Sequence, residues 1–132
     1  NITVVFINNA IYGMTGGQMA PTTLIGQKAS TCPLGRDAAV NGYPIRMSEL
    51  LAALPSPGYI ARVTVAQPRY VTRAKQAIKK AFQNQIDCKG FSIIEVISTC
   101  PTNWGLSPEK ALEWLRENML PYYPLGVYKS KD

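Results

Sequence analysis

The first residues of the chain set the tightest limit on its fold. Ile2 to Ile7 (Ile-Thr-Val-Val-Phe-Ile) is an apolar, β-branched run with the length of a buried strand. It empties into Asn8 to Gln18, Asn-Asn-Ala-Ile-Tyr-Gly-Met-Thr-Gly-Gly-Gln, a polar loop carrying Gly13, Gly16 and Gly17. Open α/β sheets place their ligands at such junctions, beyond the carboxyl ends of the strands. The glycines reach backbone angles closed to other residues and allow a ligand close to the main chain. Asn8 and Asn9 offer amide oxygens to a hard cation, and freed loop carbonyls offer the same. This chemistry fits a phosphate-and-magnesium loop. An ordinary strand-to-turn junction, using Asn and Gly for turn geometry, fits the same residues.

Further along, Gly26 to Tyr43 reads as a long polar loop broken by Pro33, Gly35 and Gly42. Its Arg36 is expected in a surface ion pair with Asp37 or a neighbour. Ser48 to Leu54 predicts a short helix with Ser48 as N-cap and Leu50, Leu51 and Leu54 on one face. Tyr59 to Ala66 is apolar nearly throughout, like a central parallel strand. Arg69 and Tyr70, in the turn after it, are second candidates for a site; beginning a helix is their simpler role. Val71, Ala74, Ala77, Ile78, Ala81 and Phe82 recur at helical spacing to about Gln85. Phe91 to Ile97 is a third strand, with Glu95 expected at an edge or in an ion pair. Ser107-Pro108-Glu109 announces a last helix whose buried stripe is Ala111, Leu112, Trp114, Leu115 and Met119. The tail Pro121 to Tyr128 is aromatic and proline-rich, suited to lying against another surface. Strands alternating with helices imply a parallel sheet with helices on both faces.

Composition excludes several classes. The 46% hydrophobic and 17% charged residues are those of a globular α/β protein. No apolar stretch approaches the roughly 20 residues that span a bilayer. The net charge of +6 raises nucleic acid as a partner, but the basic residues are dispersed, and the denser run at Lys79 and Lys80 fits the solvated face of a helix. Three cysteines, Cys32, Cys88 and Cys100, form no CxxC pair and no disulfide framework, which points to a reducing cytoplasm. The chain has no histidine, so imidazole bases and ligands are absent.

Two blocks carry a resemblance. Asn8-Asn9 after a hydrophobic strand resembles the closing pair of the thiamine-diphosphate motif. Its continuation, Tyr12-Gly13-Met14-Thr15-Gly16-Gly17-Gln18 and then Pro21-Thr22-Thr23, resembles the beta subunit of 2-oxoacid:ferredoxin oxidoreductases, in the 2-oxoglutarate/2-oxoisovalerate-like branch. Ser98-Thr99-Cys100-Pro101-Thr102-Asn103-Trp104-Gly105 matches the same family downstream. Ala20 stands where many members carry Ser. The motif's opening Gly-Asp-Gly is absent, and Asp37, Asp87 and Asp132 all follow the Asn pair. The family's metal-binding Asp is therefore expected upstream of Asn1, and residues 1–132 are expected to be the C-terminal portion of a single thiamine diphosphate-binding domain whose N-terminal part is missing here.

The resemblance implies an α/β diphosphate-binding domain and site residues at matching positions. Asn9 supplies an amide oxygen and Ile11 a carbonyl to Mg²⁺; Tyr12, Gly13 and Met14 line the diphosphate and thiazolium; Thr15, Gly16, Gly17 and Gln18 close over that end. Cys100 completes the ligation of a four-iron four-sulfur cluster whose other cysteines lie outside this chain. Without the resemblance, Cys100 reads as a small buried residue at a strand end. The implied reaction is oxidative decarboxylation of a 2-oxoacid to acyl-coenzyme A and carbon dioxide, with electrons passing to ferredoxin. The implied partners are an alpha subunit bearing the pyrimidine-binding domain, and gamma or delta subunits. Two alternatives stay open: a non-redox thiamine diphosphate-dependent decarboxylase or carboligase with the same magnesium loop and no cluster, and a non-catalytic basic interaction module, which the dispersed charge disfavours.

Overall fold

A computed structural model describes residues 1–131. In chain order the elements are β1 (Thr3–Asn8), α1 (Ala38–Asn41), α2 (Met47–Ala52), β2 (Tyr59–Thr64), α3 (Pro68–Ile86), β3 (Ser92–Ile97), α4 (Pro101–Trp104), α5 (Pro108–Trp114), a π-helical turn (Leu115–Met119), α6 (Leu120–Tyr122) and β4 (Gly126–Ser130). The strands form one sheet in the order β1-β3-β2-β4. Two compact units are distinguished. One holds Asn1–Ile7, Arg46–Ser98 and the chain from Tyr123; the other holds Asn8–Ile45 and Thr99–Tyr122. Among the described residues no helix is long and apolar enough to cross a membrane.

The first unit is the sheet with its covering helices. β2 and β3 pair in parallel from Tyr59↔Ser92 to Thr64↔Ile97, and every residue of both is buried. A parallel pair needs a crossover, and α3 supplies it. Tyr59, Ala61 and Val63 of β2 and Ile94 and Val96 of β3 pack against Ala74, Ala77 and Ala81 of α3. The alanines carry no bulk, so the helix lies close on the sheet, while Phe82 of the expected stripe turns outward and is half exposed.

The opposite face of β2 carries charge. Arg62 is fully buried, with Nε 2.8 Å from the equally buried carboxylate of Glu95. Its Nη groups pair with Glu49 of α2 and donate to the Tyr128 hydroxyl at 2.6 Å and the Pro124 carbonyl at 3.2 Å. The rings of Tyr123 and Tyr128 lie 5.2 and 4.9 Å from the guanidinium. A buried guanidinium needs acceptors for its N–H groups, and here each of its three nitrogens finds at least one. Burial works to raise the Glu49 carboxyl, but the hydrogen bonds and charge of Arg62 outweigh it and hold that carboxyl below its ordinary value. Glu95 is thus in an ion pair, as expected of it.

Several local readings are revised. Ser48 is not the cap of α2; Arg46 holds that position, and the Ser48 hydroxyl inside the helix donates to Glu95. Leu50 and Leu54, on the face they were expected to share, are exposed. β1 is an edge strand, and Val5 and Ile7 on it are about half exposed, unlike a strand buried on both faces. The tail is partly a strand: β4 pairs antiparallel with β2 from Tyr59↔Ser130 to Arg62↔Gly126, with an irregularity between Ile60 and Ala61.

The second unit is built of loops and short helices. Ser107 caps α5 as its sequence predicts, its Oγ accepting from the Lys110 N–H, with Pro108 at N1. Ala111, Leu115 and Met119 are buried, and Trp114 packs on Trp104 with ring centroids 4.6 Å apart. The long loop contains α1, capped by Asp37. Among the described residues Arg36 makes no surface ion pair. It is buried and donates to six backbone carbonyls, those of Ala20, Pro21, Thr23, Asn41, Gly42 and Tyr43.

Two outcomes follow for the first unit. Arg62→Met leaves Glu95 buried without its cation and should cost about 3–5 kcal/mol in denaturant unfolding. Because the Glu49 carboxyl is held low in the folded state, its contribution is complete above the unfolded value near 4.5 and is lost as pH falls through the lower folded value. Glu49→Gln should therefore flatten the decline of stability below about pH 4.5, measured as unfolding midpoint against pH.

Candidate functional site

The loop that follows β1 is held in a defined shape by its own side chains. The Asn8 Oδ1 accepts from the Ala10 N–H at 3.1 Å, and the Asn9 Oδ1 accepts from the Ile11 N–H at 3.4 Å. These Asx turns bend the chain sharply, and Ala10 adopts φ +57, a left-handed angle rarely taken by a residue with a side chain. Its carbonyl accepts from the Thr23 hydroxyl at 2.7 Å. The loop then closes on itself: Tyr12 N–H donates to the Gln18 carbonyl at 3.0 Å and Gly17 N–H to the Tyr12 carbonyl at 2.9 Å. The Thr15 hydroxyl donates to Gln18 Oε1, and Gln18 Nε2 donates back to the Thr15 carbonyl. Met14, Thr15 and Gly16 form an exposed tip, while Ile11 and Gly17 are buried.

The second block lies against this loop. Asn103 Nδ2 donates to the Gly13 carbonyl at 2.9 Å and approaches Cys100 Sγ at 3.4 Å. Trp104 Nε1 donates to the Asn9 carbonyl at 3.2 Å. The close fit requires glycine at two positions. A Cβ on Gly13 would stand 2.8 Å from the Cys100 sulfur, and one on Gly17 would stand 2.9 Å from Asn103 Oδ1 at a backbone angle of φ +77. Residues about ninety positions apart thus meet within one unit, and α4 makes this possible by bringing Cys100, Asn103 and Trp104 onto one short turn.

The fit to the implied groups can be tested on these atoms. Among the described residues the Ile11 carbonyl meets no donor, although Ile11 is 4% exposed. The Asn9 amide oxygen is engaged only by a long hydrogen bond, and an amide oxygen and a carbonyl are donor types that suit Mg²⁺. The N–H groups of Gly13, Met14 and Thr15 likewise meet no acceptor among the described residues, and three successive free amides suit anionic oxygen. Magnesium and diphosphate therefore fit. A four-iron cluster takes four thiolates, and here Cys100 stands alone: Cys32 and Cys88 are free elsewhere, and no group of three metal-ligating side chains occurs among the described residues. This chain by itself does not fit a cluster.

Asn9, Ile11, Tyr12, Gly13 and Gly17 are brought together with Cys100, while Arg69 and Tyr70 are not part of this unit. The Arg69 guanidinium stacks on the Tyr70 ring at the start of α3, 4.7 Å from its centroid. Asn103, Trp104 and Thr23 also belong to this arrangement, although sequence alone assigns them no role. The first stands three residues after Cys100, the spacing of one helical turn, and that signal could have found it.

Comparison with known proteins assigns the class. Residues 1–96 match the model of the thiamine pyrophosphate enzyme C-terminal TPP binding domain, and the chain belongs to that family. Its relatives narrow the relationship. It is 47% identical over 131 residues to ketoisovalerate oxidoreductase subunit VorA of Methanothermobacter thermautotrophicus, covering 99% of this chain and 28% of the relative. To 2-oxoglutarate synthase subunit KorB of Archaeoglobus fulgidus it is 41% identical over 118 residues, 89% of this chain and 40% of the relative. To pyruvate synthase subunit PorB of Pyrococcus furiosus it is 31% identical over 116 residues, 88% of this chain and 33% of the relative. The chain thus spans less than half the length of each of these relatives. The kinship expected from the Asn8 and Ser98 blocks is borne out.

The glycine contacts give a graded outcome. Gly17→Ala combines a disfavoured backbone angle with a clash on Asn103 and should lower stability by about 1–3 kcal/mol in thermal or denaturant unfolding. Gly26→Ala, at φ +78 with open space around it, meets the angle alone and should cost less.

Proposed function

We propose that this chain supplies the diphosphate-binding part of a thiamine diphosphate-dependent 2-oxoacid:ferredoxin oxidoreductase, which converts a 2-oxoacid and coenzyme A to acyl-coenzyme A and carbon dioxide. The observation that carries this reading is the buried Ile11 carbonyl two residues after the Asn9 amide, which meets no donor among the described residues, as the amides of Gly13, Met14 and Thr15 meet no acceptor there. The names of the relatives, all of them oxidoreductase or synthase subunits acting on 2-oxoacids by their titles, support the same class.

In this reading Asn9 Oδ1 and the Ile11 carbonyl bind Mg²⁺, and the amides of Gly13, Met14 and Thr15 bind diphosphate oxygens. The chemistry that thiamine diphosphate supplies when bound is nucleophilic attack on the oxo carbon and storage of the electron pair left as carbon dioxide departs. The chain's own residues bind and orient. Gly13 keeps the loop backbone against Cys100, Asn103 clamps the Gly13 carbonyl, and Trp104 fixes the Asn9 carbonyl. Cys100 contributes one thiolate to an iron–sulfur cluster whose remaining ligands lie in the N-terminal part of the subunit, outside residues 1–132. Partner subunits, among them an alpha subunit for the pyrimidine half of the cofactor, complete the site, ferredoxin accepts the electrons, and a reducing cytoplasm suits the free cysteines.

The test is iron and acid-labile sulfide on the full-length subunit with its partners, purified without oxygen, beside Cys100→Ala. About four irons per subunit, lost on substitution, is the expected result. An iron-free wild type removes the cluster and favours a non-redox decarboxylase or carboligase on the same magnesium loop.

A further inference from the structure

We infer that Thr23 is a positioning residue for the metal-binding amide of Asn9, acting through the peptide plane between Ala10 and Ile11. This rests on the function proposed above. A trans peptide is planar, and its C=O and N–H point in opposite directions. In the Ala10–Ile11 peptide the oxygen accepts from Thr23 Oγ1 at 2.7 Å and the N–H faces Asn9 Oδ1 at 3.4 Å. Fixing one end of the plane therefore sets the other. The bond to Asn9 is too long to hold the plane by itself, whereas the bond from Thr23 is short and Thr23 is 0% exposed.

Ala10 sharpens the need. Its φ of +57 is disfavoured for a residue with a Cβ, so the plane relaxes unless something outside the turn retains it. Thr23 is retained in turn. Its hydroxyl accepts from the Ala20 N–H at 2.8 Å, which leaves its hydrogen for Ala10, and its carbonyl accepts from Arg36 Nη1 at 2.9 Å. The Ala20 and Pro21 carbonyls meet the same Nη1. A buried guanidinium thus anchors a tight turn, the turn aims one hydroxyl, and the hydroxyl sets the plane that presents the Asn9 oxygen and leads into the Ile11 carbonyl.

The experiment uses the full-length subunit in its complex, with Mn²⁺ as the probe, titrated in saturating thiamine diphosphate and read by electron paramagnetic resonance. Thr23→Ala should raise the half-saturating Mn²⁺ concentration roughly fivefold to tenfold, the worth of one buried hydrogen bond. Thr23→Ser, which keeps the hydroxyl, should stay within about twofold of wild type. If Thr23→Ala fails to fold, Thr23→Val fills the same volume and carries the comparison. Wild type that binds Mn²⁺ with either hydroxyl-less variant within about twofold of it overturns the inference alone. Wild type that binds no Mn²⁺ with thiamine diphosphate overturns the proposed function and this inference together.

Discussion

A buried guanidinium must find acceptors for the N–H groups it removes from water, and each unit of this protein is arranged around one. In the sheet unit Arg62 is met by two carboxylates, a phenol and a carbonyl, drawn from α2, β3 and the segment around β4. In the loop unit Arg36 is met by backbone carbonyls only, from two stretches of a segment that has almost no regular structure of its own. The two solutions differ in purpose. Carboxylates neutralise the first charge and tie side chains together. Carbonyls leave the second charge formally whole but satisfy peptide groups that a helix or sheet would otherwise pair.

The candidate site shows the same economy of peptide groups. Most polar atoms of the Asn8–Gln18 loop are paired, by Asx turns, by the Thr15–Gln18 exchange and by Asn103 and Trp104. Against that background the Ile11 carbonyl is the buried exception, meeting no donor among the described residues. Rigid surroundings of this kind lower the ordering cost of any ligand that pairs with such an atom.

Much of this was legible in sequence, and the failures share one cause. Strands β2 and β3, helix α3 and the Ser107 cap were readable because apolar spacing and capping chemistry are local. The glycine loop was readable because turn residues announce themselves. Arg36 was misread because its acceptors are backbone carbonyls, which leave no mark in a sequence; Asp37 beside it suggested a pair that does not form. Ser48 has the look of a cap in sequence because its acceptor, Glu95, lies in a strand far along the chain. β4 went unseen because Pro124 and the tyrosines obscure any alternation, and only pairing with β2 makes the segment a strand. Thr23 belonged to the family-like stretch, yet nothing local says which carbonyl its hydroxyl will reach.

The edge position of β1 has a practical side. An edge strand presents a row of backbone donors and acceptors along its open side, and here that strand also carries Ile2, Val5 and Ile7 with much of their surface in water. Natural edges are usually blunted by charge, proline or a bulge, and Thr3 to Asn8 contains neither charge nor proline. Handled alone at high concentration, this polypeptide offers a template for strand-to-strand aggregation, and its solubility will depend on whatever lies along that edge.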